Sequence, residues 1–302
     1  MAPAQPDPSQ IPVETPQPIR RIVLFSLDGL ISAAALPRLV ERLDGRVVAI
    51  VASQRYGGKY GSFQAQFVRN YRRSGWDFLN YLGLLLVWFR PALGMGRVIG
   101  RLLGRKDMAC SLTALAHAHN IPIIRTREPN EEAVASRLRA LEPDLFVSAY
   151  FDHIMRAPLI AIPKRGVINI HSSLLPELRG PFPAFWALLC GIQPVGVTVH
   201  AIVDEDIDTG PILLQRPVDH RPDTSVLALD CDLMRAGADL ACEAIAALEK
   251  GTARFTPQQP GAGSYQSYPS RDDVAALKKT GRRLFTLSDF LRQILGAGQA
   301  RE

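Results

Sequence analysis

Arg21-Ile22-Val23-Leu24-Phe25-Ser26, then Asp28-Gly29, then apolar residues at Leu36, Leu39, Val40 and Leu43, then Val47-Val48-Ala49-Ile50-Val51 form the stretch that decides the fold. Short, unbroken apolar runs such as 22–25 and 47–51 suit strands buried on both faces. The apolar spacing between them is that of a helix. Strand, helix, strand at this separation is the crossover unit of a parallel sheet, which needs helices on both its faces.

The same rhythm continues outward. A helix is expected around Leu112–His119, a strand at Ile121–Ile124, a helix over Glu131–Leu141 and a strand over Leu145–Ala149. The expected class is α/β, a Rossmann-like open and mostly parallel sheet flanked by helices, with a helical basic insertion and a short C-terminal extension. The first turn lacks G-x-G-x-x-G, so the dinucleotide fingerprint is missing. Residues 1–20, with six prolines among the first eighteen, read as a disordered leader. The main domain is expected over 21–250 with the insertion at 54–106, and the extension over 251–302.

Of the 302 residues, 47% are hydrophobic and 21% charged, which excludes wholesale disorder. The four cysteines form no C-x-x-C pair, which argues against a disulfide framework or zinc knuckle and for a reducing compartment. With no basic-then-apolar start to mark a secretory signal, the expected location is cytoplasmic, including the inner face of the membrane. The net charge of +6 is uneven: ten basic residues and one acid, Asp77, lie between Gln54 and Lys106, so the remainder is mildly acidic. That basic segment holds an apolar run, Phe78–Phe89, too short to span a bilayer and stopped by Arg90-Pro91. It reads first as a helix packed on the domain and second as an interfacial element touching a membrane through 76–106.

The chemistry concentrates further on. Val167–His171 reads as a strand, and Asn169 and His171, two apart, project from one face roughly 7 Å from each other. An amide beside an imidazole at the carboxyl end of a parallel strand is placed to act on a carbonyl, because open α/β sheets bind ligands at that edge. A further strand, Val195–Val203, leads into Asp204-Glu205-Asp206-Ile207-Asp208-Thr209-Gly210. Four acids so close cannot all be buried, and Asp208 is the one expected in the cleft.

Asn-x-His-x-Ser-Leu-Leu-Pro with Arg179-Gly180, then Gly196-Val-Thr-Val-His200, then Asp208-x-Gly-x-Ile-Leu resembles the 10-formyltetrahydrofolate-dependent formyltransferases. That family includes methionyl-tRNA, glycinamide ribonucleotide and sugar-amine formyltransferases. The resemblance is strong from Asp144 to Leu214, weaker from Arg21 to Ala52, and absent from the leader and the basic segment. It implies catalytic roles for Asn169, His171 and Asp208. It also implies a pterin held largely by backbone between Phe151, His153, Ile154 and Met155 on one side and Val203, Asp204 and Asp206 on the other. Ser173 and Arg179 fall at motif positions that shape the loop or meet substrate. Formyl transfer to an amine passes through a tetrahedral oxyanion. Asn169 and a protonated His171 are expected to stabilise it, with Asp208 keeping the imidazole charged and assisting proton transfer. The chemistry needs no metal, and no ligand-spaced cluster offers one. His200 is expected either to support the cleft or to be an ordinary buried histidine. His117, His119 and His220 are expected at a helix end and in a loop.

The expected acceptor is a small primary amine, phosphate-bearing and met by Arg72 and Arg73: an amino sugar or related amine on a nucleotide or lipid. Glycinamide ribonucleotide is disfavoured because that enzyme type is compact. Methionyl-tRNA is disfavoured because the segment after a helix at Leu227–Glu249, read as a hairpin or arm with a terminal helix, is too small for that enzyme's β-barrel. A formyltetrahydrofolate hydrolase and a noncatalytic folate-binding or membrane-associated protein are the rival readings. Self-association as a homodimer is also carried.

Overall fold

The computed structural model describes residues 16–54, 61–102 and 109–295. Seven strands form one sheet: β1 Ile22–Leu27, β2 Val47–Ser53, β3 Ile123–Thr126, β4 Leu145–Ala149, β5 Val167–His171, β6 Gly196–Ala201 and β7 Ile212–Pro217. Their order is β3-β2-β1-β4-β5-β6-β7. β1 to β5 pair in parallel, whereas β5–β6 and β6–β7 are antiparallel. The chain runs outward from β1 to β3, then returns to place β4 on the other side of β1. Such a reversal opens a crevice at the carboxyl edge of the strands.

All six residues of β1 are buried, as two-sided burial requires. Leu24 points into the larger core with Ile50, Val147 and Ile168, beneath the helices α1 Leu30–Arg42 and α8 Val226–Glu249. Val23 and Phe25 point the other way, into a smaller core with Phe146, Leu138 and Leu159. Arg38 and Arg42 of α1 both reach Asp239 of α8, at 2.7 and 2.6 Å, which locks the two long helices together.

The insertion is helical, as its apolar spacing implies. It comprises α2 Phe63–Gly83, a π-helical turn Leu84–Trp88 and α3 Phe89–Leu102. Gly75, at φ +76°, kinks α2. Phe78, Tyr81, Leu82, Leu85, Phe89 and Leu93 form a buried stripe along it. Phe78 packs edge-on against Phe182 at 5.1 Å, just ahead of α7 Pro183–Cys190. Of the ten basic residues counted in this segment, Arg55, Lys59, Arg105 and Lys106 lie outside the described residues.

Several expected boundaries move. The third strand begins at Ile123 rather than Ile121, because Pro122 has no N–H to give the ladder; its carbonyl instead accepts from Ile50 N at 2.9 Å. The leader's boundary shifts too: Ile19 is fully buried, its N–H donates to Glu249 at 2.9 Å, and Arg20 and Arg21 N–H both donate to Asp144. Residues 1–15 lie outside the described residues. The remaining helices of the main body are α4 Leu112–Ala118, α5 Glu132–Arg139 and α6 Ala157–Ile160. After α8 there is no hairpin among the described residues. Two bridges, Ile212 with Thr256 and Arg179 with Tyr265, lead to α9 Arg271–Lys279 and α10 Leu287–Leu295. Ser270 caps α9 reciprocally with Asp273, and the alternation a hairpin needs is missing.

Candidate active site

The end of β5 carries Asn169 and His171 on one face, and antiparallel pairing with β6 sets His200 directly opposite Asn169. Asp208 enters from the loop between β6 and β7. Its Oδ2 lies 3.4 Å from His171 Nδ1, and its Oδ1 lies 3.4 Å from both His200 Nε2 and Asn169 Nδ2. Asn169 Nδ2 is also 3.1 Å from His200 Nε2. Three polar side chains from two strands therefore meet at one carboxylate. Both histidines are buried, and Asp208 nearly so.

The backbone holds this cluster from outside. His171 Nε2–H donates to Leu178 O at 3.0 Å, and His200 Nδ1–H donates to Ala201 O at 2.9 Å. Gly180 N donates to Asp208 Oδ2 at 2.9 Å. Gln258, from the extension, donates to the carbonyls of Asp208 and Gly210 at 2.9 and 2.7 Å. Asp208 itself sits at φ +57°, in the left-handed region that an aspartate tolerates better than most residues. Gly180 is at φ +94°, and a Cβ there would come within 2.2 Å of Gln266 O.

Gly210 is fixed by space. A Cβ there would stand 1.9 Å from Ala201 O. Gly210→Ala is expected to destabilise the fold by about 4 kcal/mol or more, since backbone must move on both sides. A urea denaturation curve checks this, and an unchanged midpoint would refute it.

Burial pushes the His171 imidazole below its ordinary value. The Asp208 carboxylate and the Leu178 carbonyl oppose that shift, and His200 adds to it. The expectation of a resting imidazolium is therefore corrected: His171 is neutral at rest because desolvation outweighs its carboxylate partner. Burial raises Asp208, but at the low pH where that carboxyl would take up its proton a protonated His171, the hydrogen bond and charge of His200 and the Gly180 amide outweigh it. They hold the carboxyl well below the usual range.

Residues 101–245 match the model of the formyl transferase family. The chain carries a formyltransferase-family domain. It is 35% identical over 170 residues to the methionyl-tRNA formyltransferase of a Roseiflexus species, which is 56% of this chain and 52% of that protein. It is 32% identical over 206 residues to that of Thermodesulfovibrio yellowstonii, covering 68% and 64%. The chain thus spans about half the length of the first curated relatives it matches. The crystal structure of an N-formyltransferase from Helicobacter canadensis, in complex with folinic acid and dTDP-3-aminofucose, shares the fold at a TM-score of 0.51. Its identity is 20% over 85% of this chain and 72% of that one.

The formyltransferase domain places the residues expected to hold folate on two neighbouring loops. Arg156 and Glu205 approach to 3.8 Å across the gap. Ile154, Val203 and Ile207 expose apolar side chains there, beside the carboxylate cluster's own loop. Asp204 is spent on its own turn, accepting from Asp206 N at 3.0 Å, while Asp206 is exposed. His153 and Met155 are buried: His153 Nε2 lies 3.0 Å from Ser53 Oγ, and Met155 belongs to the smaller core. Phe151 packs against Phe25 at 5.4 Å. These three side chains build the loop, which leaves recognition to its backbone and to Ile154.

The expected substrate residues divide. Ser173 Oγ donates to Glu177 O at 2.6 Å and Arg179 Nη2 to Ala262 O at 3.1 Å, so both close loops around Asp208. Arg73 lies over the Tyr268 ring at 3.9 Å and donates to Asn70 at 2.6 Å, which makes it part of the packing between α2 and the extension. Arg72 is exposed and lines an open hollow of about 850 Å³ with Ser62, Arg69 and Arg73. His117 and His119 lie exposed at the end of α4, and His220 is half-buried beside Gln193.

The residue that the sequence leaves undecided is His200. Only the register of β5 against β6 puts it opposite Asn169, and local patterning does not fix the register of two non-adjacent segments.

Proposed function

We propose that this protein transfers a formyl group from 10-formyltetrahydrofolate to a primary amine of a small, anionic acceptor. The convergence of Asn169, His171 and His200 on Asp208, inside the family-matched segment, carries this reading. The two loops at Ile154 and Val203–Ile207 fit a flat, partly apolar pterin beside that cluster.

The residues then act as follows. The neutral acceptor amine attacks the formyl carbon, and negative charge develops on the formyl oxygen. Asn169 donates to that oxygen from Nδ2, while His200 keeps its Nδ1–H on Ala201 O. His171 and Asp208 together take the proton the amine sheds. The imidazolium so formed faces the developing oxyanion, then gives the proton to the departing nitrogen of tetrahydrofolate. The anionic acceptor is supported by the hollow that Arg69 and Arg72 line. Methionyl-tRNA is the second reading, favoured by the curated relatives that match at 35% identity.

The test supplies the protein with 10-formyltetrahydrofolate and a panel of amines that includes amino-sugar nucleotides and methionyl-tRNA. Tetrahydrofolate and formylated product are both followed. Turnover that depends on amine supports the transferase. Consumption of the folate without any amine would instead make the protein a hydrolase. The acid limb of kcat/KM is expected below pH 6.5 whichever acceptor is used, because His171 must be neutral to accept the proton.

A further inference from the structure

The buried stripe of α2 and α3 takes up six of the insertion's apolar residues, and many of the others face out. Trp88, Met95 and Leu102 are 66%, 66% and 82% exposed, with Val98 and Ile99 beside them, at the seven- and four-residue steps of one helix face. α10 lies alongside α3 and adds Leu287, 70% exposed, with Leu291 one turn on. Between the two helices runs a groove of about 490 Å³, walled by Leu84, Trp88, Pro91, Met95, Phe285 and Phe290. A contiguous apolar face of this kind on a soluble domain marks an interaction surface. By length and composition Phe63–Gly96 is apolar enough to cross a bilayer. Its buried stripe, however, fastens it to the domain, so it can lie on a surface but not span one.

The surrounding charge selects the occupant. Residues 61–102 hold six arginines and a single acid, Asp77, which Lys278 already engages at 2.8 Å. Lys279 ends α9, Arg282 and Arg283 lie in the turn that follows, and Arg292 lies on α10, which packs on α3. A second copy docking through the same face would bring arginine-rich rims together, because a two-fold contact pairs each patch with itself. An anionic lipid surface complements that excess of positive charge and gives the apolar face the acyl region. We infer that α3 and α10 form a peripheral docking face for an anionic bilayer, with Trp88, Met95, Leu102 and Leu287 inserted at the headgroup boundary.

The experiment uses the full chain and needs no acceptor, so its outcome is independent of the proposed activity. Vesicles of phosphatidylcholine, with and without phosphatidylglycerol, are floated with the protein at low and high salt. The protein should float with phosphatidylglycerol vesicles, lose that binding at high salt, and show a blue shift of tryptophan emission that Trp88→Phe removes. Met95→Glu combined with Leu287→Glu should lower the bound fraction at least tenfold while leaving the melting temperature unchanged, since both side chains are exposed. Absence of flotation, or equal flotation of the double variant, would overturn the inference. So would a dimer in light scattering that the same double variant dissociates, which would assign the face to a second copy.

Discussion

Asn169→Ala is expected to lower kcat for formyl transfer about 10²–10³-fold, the usual cost of removing one donor to a developing oxyanion. KM for the folate should move little, because Asn169 belongs to the charge cluster on Asp208 and not to the apolar loops that flank it. Steady-state release of tetrahydrofolate measures both constants. A raised KM with unchanged kcat would mean that the side chain binds substrate without favouring the transition state. His171→Ala should cost at least as much. The double variant should lose far less than the product of the two single losses, because groups that act on one proton and one oxyanion fail as a unit. Independent, multiplying effects would argue that Asp208 does not couple them.

The second large effect is on stability. Asp230, on α8, is wholly buried between Leu229 and Cys231, and burial pushes its carboxyl from 3.8 up to about 7 against a hydrogen bond from Ser172. The folded protein keeps that proton where the unfolded chain releases it. Stability therefore falls as pH rises from about 4 to about 7 and levels off above, a loss of about 4 kcal/mol for a shift of this size. Asp230→Asn keeps the shape and the acceptor for Ser172 but cannot ionise. It should raise the melting temperature at pH 8 by on the order of 10 °C, and the gain should vanish near pH 4. Thermal melts at the two pH values decide this. An equal gain at both would attribute the effect to packing.

The framework of the fold was legible because β1, β2 and β4 carry short apolar runs, and such runs have few places to go but the middle of a sheet. Asn169, His171 and Asp208 were legible for a different reason: a polar pair two apart at a strand end, and one acid set just before Thr-Gly. The structure brings all three together. What stayed hidden depended on contacts between distant segments. His200 joins the cluster through antiparallel register. Gln258 reaches the Asp208 loop from fifty residues away. Asp230 is concealed because α8 is buried on most sides, so its hydropathy has no polar face from which a buried charge would stand out. The neutral state of His171 could not be read either, since desolvation follows from the packing and not from the neighbours in sequence.

The insertion and the C-terminal extension are far apart in the chain yet clasp each other. Ser74 donates to Pro269 O at 2.6 Å, Arg271 donates to Tyr71 O at 2.9 Å, Lys278 pairs with Asp77, and Tyr81 stacks with Phe285 at 6.4 Å. Through Gln258, the same extension also pins the loop that carries Asp208. A ligand that tugs on either helix therefore pulls on a strap whose other end is buckled to the Asp208 loop. A docking event outside the domain would thereby have a mechanical route to the carboxylate on which Asn169, His171 and His200 converge.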